Sequence, residues 1–205
     1  MVKILAAGAM AAGLPLAVIL LAVTLGLAPA GPAPGLPAPG TSTVPAASGL
    51  YGTPGPAAAA AIPPAYLALY VGAARTCPGL PWTVLAGIGT VESDNGQSRL
   101  PGVESGHNYA GAEGPMQFLP ATFAEYAVNA DPGQPVSPYD PADAIYAAAA
   151  MLCATGARGG STAGIEQAVF AYNHASWYVA EVMARAASYA APASAAPARQ
   201  ASRQP

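Results

Sequence analysis

Pro81-Trp-Thr-Val-Leu-Ala-Gly-Ile-Gly-Thr-Val-Glu-Ser93 is an apolar run that ends on a lone carboxylate. Proline suits the first turn of a helix, where its missing N–H costs nothing. From there Trp82, Leu85, Gly89 and Glu92 recur at steps of three, four and three, which puts all four on one helical face. Glu92 therefore continues the stripe that should meet the core. Asn95-Gly96 follows as a left-handed cap, so Glu92 also stands near the negative end of the helix. Burial and that end both disfavour a carboxylate and push its pKa upward, the direction a general acid working near neutral pH needs. Two plainer alternatives stand beside the chemical one. The side chain can reach solvent from the last turn, or pair with an arginine such as Arg99.

Outside this run, composition separates a domain from its flanks. The chain has 205 residues with 23 prolines and 23 glycines, unevenly spread. Residues 31–60 hold seven prolines, six glycines and no charge, and the stretch from Ala190 onward is Ala/Pro/Ser-rich with Arg199 and Arg203 as its only charges. Neither buries enough apolar surface to offset chain entropy, so a linker over 31–61 and a tail over 190–205 are expected to be disordered or polyproline-like. Residues 62–189 remain, enough for one globular domain with a single core. All ten acidic residues lie in it against four arginines, Arg75, Arg99, Arg158 and Arg185. That acidic balance argues against a nucleic-acid partner and fits a neutral or mixed-charge substrate.

The N-terminus reads as a targeting segment. Lys3 precedes an uncharged apolar run from Ile4 to Leu27, and Ala28-Pro29-Ala30 has small residues at signal-peptidase spacing. The run is also long enough to span a bilayer. Residues 1–30 are thus a cleaved signal, with a mature start at Gly31, or a retained anchor, and the membrane is met only through them. A linker of about thirty residues would reach on the order of 90 Å if extended as polyproline. With no cysteine nearby, a lipid anchor is excluded. Either way the domain is exported. The two cysteines, Cys77 and Cys153, then have a disulfide as their default state. A metal site is the weaker option, since only His107 and His174 could assist and their spacing matches no zinc pattern. A thiol nucleophile is weaker still outside the cytoplasm.

The domain reads as all helix. Pro63-Pro64 opens a helix to about Arg75, and the Trp82 helix follows. After a long loop from Ser93 to Gly114, Pro120 starts a short helix through Tyr126. Asp140-Pro-Ala-Asp143 gives a cap, a first-turn proline and an acid for a helix over 142–155. It is nearly all alanine, which suits close packing at a domain centre. Two more helices are expected over 164–172 and 176–189. No segment alternates with the period of a strand.

Four stretches in this order carry a resemblance: Glu92-Ser93 after the apolar helix, Ala110-Gly-Ala-Glu-Gly-Pro-Met-Gln-Phe-Leu-Pro-Ala-Thr122, Asp140-Pro-Ala-Asp-Ala-Ile145 and Ala171-Tyr-Asn173. Together they resemble the lytic transglycosylases of the soluble type, a branch of the lysozyme-like superfamily related to goose-type lysozymes. The likeness spans nearly the whole 62–189 domain. It implies a single, predominantly helical lysozyme-like domain, all-α within an α+β superfamily, acting as a monomer on peptidoglycan glycan strands with no cofactor and no metal. Glu92 matches the single catalytic acid/base that cleaves the β-1,4 bond between N-acetylmuramic acid and N-acetylglucosamine and leaves a 1,6-anhydro end. Ser93 matches a residue that polarises the substrate acetamido group. Gly114, Met116 and Gln117 match the loop lining the sugar cleft. Tyr172 and Asn173 match the Ala-Tyr-Asn motif, whose tyrosine would orient the acid. The Cys77–Cys153 pair resembles that of secreted high-GC Gram-positive members.

Each assignment has a plainer counterpart. Met116 and Phe118 fit as core residues, and Tyr172 as a buried tyrosine bonded to a backbone carbonyl. Asp94, Glu104 and Glu113 fit as surface charges, although Asp94 could position a water and make the enzyme a hydrolase. His107 and His174 fit the surface. Pro115 and His174 depart from the family pattern, the first in place of an aliphatic residue and the second in place of a glycine. A wall-binding protein without catalysis is the remaining class.

Overall fold

The computed structural model describes residues 52–191. Residues 1–30, most of the linker and the tail from 192 lie outside the described residues. Within them the chain forms α1 (Pro56–Ala61), α2 (Pro64–Ala74), α3 (Trp82–Ser93), α4 (Pro120–Tyr126) and α5 (Pro141–Leu152). A π-type turn (Cys153–Ala157), α6 (Thr162–Tyr172) and α7 (Ser176–Ala190) complete it. No strand occurs among the described residues, only an isolated antiparallel bridge between Glu113 and Phe118. The all-helical expectation holds, and four helices start on the proline that suits a first turn. Pro81 instead caps α3 from outside it.

α3 is wedged into the centre rather than laid along it. Every residue from Trp82 to Gly89 is buried, so the expected stripe is too narrow; an apolar helix of this kind is covered on all sides. Burying Trp82, Leu85 and Ile88 contributes roughly 1.5–3 kcal/mol each. Its closest neighbour is α7. A Cβ on Gly87 would stand 2.7 Å from the Val182 carbonyl oxygen, so only glycine permits that approach. α5 supplies the other side of the core with Ala144, Ile145, Ala147, Ala148 and Ala149, all fully buried.

Side-chain caps fix two helix starts. The Asp140 carboxylate accepts from Ala142 N and Asp143 N, as expected. Ser161 accepts from Gly164 N, which begins α6 earlier than its sequence suggests. Asp143 does more than sit in a first turn. It is buried, and its two oxygens accept from Ala130 N at 2.8 Å and Ser137 N at 2.9 Å, pinning the proline-rich loop before α5.

One difference from the sequence reading concerns the N-terminal edge, whereas the expected disulfide is present. Residues 52–61, assigned to the linker by composition, belong to the folded unit. α1 packs on α7, Ala58 is fully buried, and the Trp82 indole N–H donates to the Gly52 carbonyl at 3.0 Å. Cys77 and Cys153 are joined, with a Cα–Cα distance of 5.6 Å.

Candidate active site

α3 delivers Glu92 to the wall of an open cleft of about 390 Å³. The helix stops there because Asp94, Asn95 and Gly96 all turn left-handed, with φ of 52°, 56° and 77°. The Asn95 N–H reaches back to Gly89 O at 2.9 Å and closes the end. Asn95 is itself buried, accepting from the Tyr70 hydroxyl at 3.0 Å and donating to Thr90 Oγ1 at 3.3 Å. The last turn of α3 is therefore held from both sides, and Glu92, half-buried, is fixed with it.

Tyr178 of α7 donates its hydroxyl to Glu92 Oε1 at 2.7 Å. Burial, and then the neighbouring Glu92 charge, push the Tyr178 phenol well above its usual 10.0, so it remains a donor throughout the neutral range. The resemblance gave this orienting role to Tyr172. The Tyr172 hydroxyl donates to Met116 O at 2.7 Å, the buried-tyrosine alternative stated for it. Its ring stacks on Tyr178 with centroids 6.5 Å apart and planes 5° apart. Burial and the Glu92 charge raise its phenol too, so it also lies within the field of the carboxylate. Tyr178 belongs to no quoted motif, but a signal was present. It opens the buried stripe Tyr178, Val182, Ala186, Tyr189 of α7, and a phenol on a core stripe must find a partner.

The opposite wall is a tight turn closed by the Glu113–Phe118 bridge. Glu113 N bonds to Phe118 O at 2.8 Å and Phe118 N to Glu113 O at 2.9 Å. Gly114 lies at φ 73°, and a Cβ there would overlap the Pro138 carbonyl oxygen. The carbonyls inside the turn are taken one after another. Gly114 O accepts from Gln117 N and Nε2, Pro115 O from Ser93 Oγ at 2.6 Å, and Met116 O from Tyr172. Ser93 and Tyr172 thus clamp the turn from the helices behind it. The single hydroxyl hydrogen of Ser93 goes to Pro115 O, and its oxygen accepts from Gly96 N.

Gln117 and Asn173 face the cleft with Glu92, whereas Ser93, Gly114, Met116 and Tyr172 stand behind its wall. Met116 and Phe118 are core residues. Asn108, absent from the sequence-based site, is the keystone of the loop. Its Nδ2 donates to Gln117 Oε1 at 2.8 Å, and its Oδ1 accepts from Ala110 N and Ala112 N. Only its place in a glycine-rich loop hinted at such a turn. Asn173 is buried, and its Nδ2 has no hydrogen-bond partner. A buried donor left so costs about 1–3 kcal/mol. Leu100 and Tyr109 form an exposed apolar rim. His107, His174 and Arg99 are exposed, and His174 meets only the Phe170 ring edge-on at 5.6 Å among ring contacts. Among the described residues no group of three His, Cys, Asp or Glu side chains is placed to hold a metal.

Tyr178→Phe keeps the stacked ring and removes the bond to Glu92. Its expected result is a fall in kcat of about tenfold to a hundredfold with KM little changed. A thermal midpoint within a few degrees of the parent would show that the loss is not one of folding.

A search of curated proteins returns no match. The solved structure of the Escherichia coli lytic transglycosylase SLT35 in complex with bulgecin A is similar, with a TM-score of 0.51 and 15% identity, over 65% of this chain and 76% of that one. At that identity the likeness speaks for the lysozyme-like fold. The family described as the transglycosylase SLT domain matches residues 70–192, which include Glu92, the 114–117 turn and the Ala171-Tyr-Asn173 motif. On that match the chain belongs to the transglycosylase SLT domain family and is a lytic transglycosylase of the soluble type, an enzyme acting on peptidoglycan.

Proposed function

We propose that the domain cleaves the β-1,4 bond between N-acetylmuramic acid and N-acetylglucosamine, with Glu92 as its single acid/base. The observation that carries this reading is that Glu92 is the one carboxylate lining the cleft among the described residues. Asp94, the candidate for activating a water, is exposed at the helix cap and off the cleft wall. Retaining glycosidases with two carboxylates set them about 5 Å apart; here the substrate's own N-acetyl group takes the second role. Glu92 gives its proton to the glycosidic oxygen as the bond to the muramoyl C1 breaks. The resulting carboxylate removes the C6 hydroxyl proton as O6 bonds to C1. The sugar leaves as the 1,6-anhydro form, and Glu92 is again protonated with no water consumed.

The remaining side chains position this chemistry. Tyr178 aims the carboxyl, Asn173 lines the wall beside it, and the Gln117–Asn108 pair holds a polar edge on the facing wall. Mass spectrometry of digested sacculi tests the product. Ends lighter by one water than reducing ends are expected, and reducing ends alone would make the enzyme a hydrolase.

The enzyme works at the cell wall, where its polymer is. Within that, residues 1–30 serve as a signal or anchor, the Pro/Gly/Ala-rich stretch after them as a spacer, and the folded unit as a monomeric catalytic domain. Among the described residues no helix is long and apolar enough to cross a membrane.

A further inference from the structure

A second hollow lies beside the cleft, lined by Thr90, Val91, Trp177, Glu181 and Arg185, with a volume of about 430 Å³. The two hollows share Val91, the residue before Glu92. Trp177, Glu181 and Arg185 recur every fourth residue along α7 and so share one face. Trp177 is 52% exposed, while its ring edge is held against Tyr178 at 5.9 Å. Beyond it, Arg185 and Glu181 form a half-exposed ion pair at 2.8 Å. Of the five most exposed large apolar side chains among the described residues, Leu100, Tyr109 and Trp177 line these two hollows. Exposed apolar surface is thus gathered at these two adjoining hollows, with Glu92 in the wall of the first.

On the reading of the site given above, we infer that the Trp177 hollow is a second sugar-binding subsite, which receives the glycan strand as it leaves the cleft across Val91. An exposed indole face suits the apolar face of a pyranose ring. The Arg185–Glu181 pair presents donors and an acceptor side by side, matched to sugar hydroxyls and carrying no net charge. A stem peptide is the less suited occupant, because its carboxylates would meet Glu181 in a domain with ten acids and four arginines.

The protein's two tryptophans make the test direct, since Trp82 is 2% exposed and Trp177 is not. Full-length Glu92→Gln protein is titrated with peptide-free glycan hexasaccharide and disaccharide from peptidoglycan, by calorimetry and by tryptophan emission. The hexasaccharide should shift the emission and bind more tightly than the disaccharide. Trp177→Ala should shrink that advantage about tenfold; Trp177→Phe should keep most of it. Binding that leaves the emission and the Trp177→Ala affinity unchanged overturns the subsite. So does an effect seen only with peptide-bearing strands, which would assign the hollow to the stem peptide. No binding by either sugar overturns the functional reading itself, and the subsite with it.

Discussion

Glu92→Gln leaves a folded protein that no longer cuts peptidoglycan. The amide has the shape of the carboxyl and still accepts from the Tyr178 hydroxyl, so the bond that holds the side chain survives. What disappears is a proton to give and a base to take one back. General acid–base catalysis supplies a factor of about 10²–10⁴, and one group here serves both steps. The rate of muropeptide release from purified sacculi should therefore fall by about a thousandfold or more. Thermal midpoint and sacculus binding should stay near those of the parent. Activity within tenfold of the parent would remove Glu92 from the mechanism, and binding without cleavage in the parent itself would leave a wall-binding protein.

Replacing Cys77 and Cys153 together by alanine should destabilise the domain by about 4 kcal/mol. Their sequence separation is 76, and closing a loop of that length constrains the unfolded chain by that amount in the entropy model. For a domain of this size the thermal midpoint drops by about 10–15 °C. Differential scanning calorimetry of parent and variant decides the matter, and a drop below about 3 °C would show that the bond contributes little. Because the cysteines lie away from the cleft, glycan cleavage at low temperature should change far less than stability does.

Much of this arrangement was legible from residue type and spacing. First-turn prolines and the Asp140 cap are local devices that act through their own backbone, and they marked helix starts at Pro64, Pro120 and Pro141. The position of Glu92 at the end of an apolar helix needed only periodicity. The misses share another cause. Tyr178 and Asn108 work through partners 86 and 9 residues away, and nothing in their immediate neighbours marks the distant half of the pair. Ser93 and Tyr172 were found as motif members, yet their hydroxyls serve the backbone of the 114–117 turn. A motif records that a residue matters without stating what it touches. Composition misled at residues 52–61 for a similar reason. Alanine and proline are poor in apolar surface, but Ala58 needs only a small seat on α7 and the Gly52 carbonyl only one indole.

The Cys77–Cys153 bond has a mechanical consequence. Glu92 and Gln117 lie within the segment it closes, residues 78–152. Tension drawn between the two ends of the domain passes from Cys77 to Cys153 through sulfur and bypasses that segment. A domain pulled by its two ends would have the helices outside that segment, α1 and α2 among them, peeled away first. The helix end that holds the acid and the turn that faces it would carry no load along the backbone.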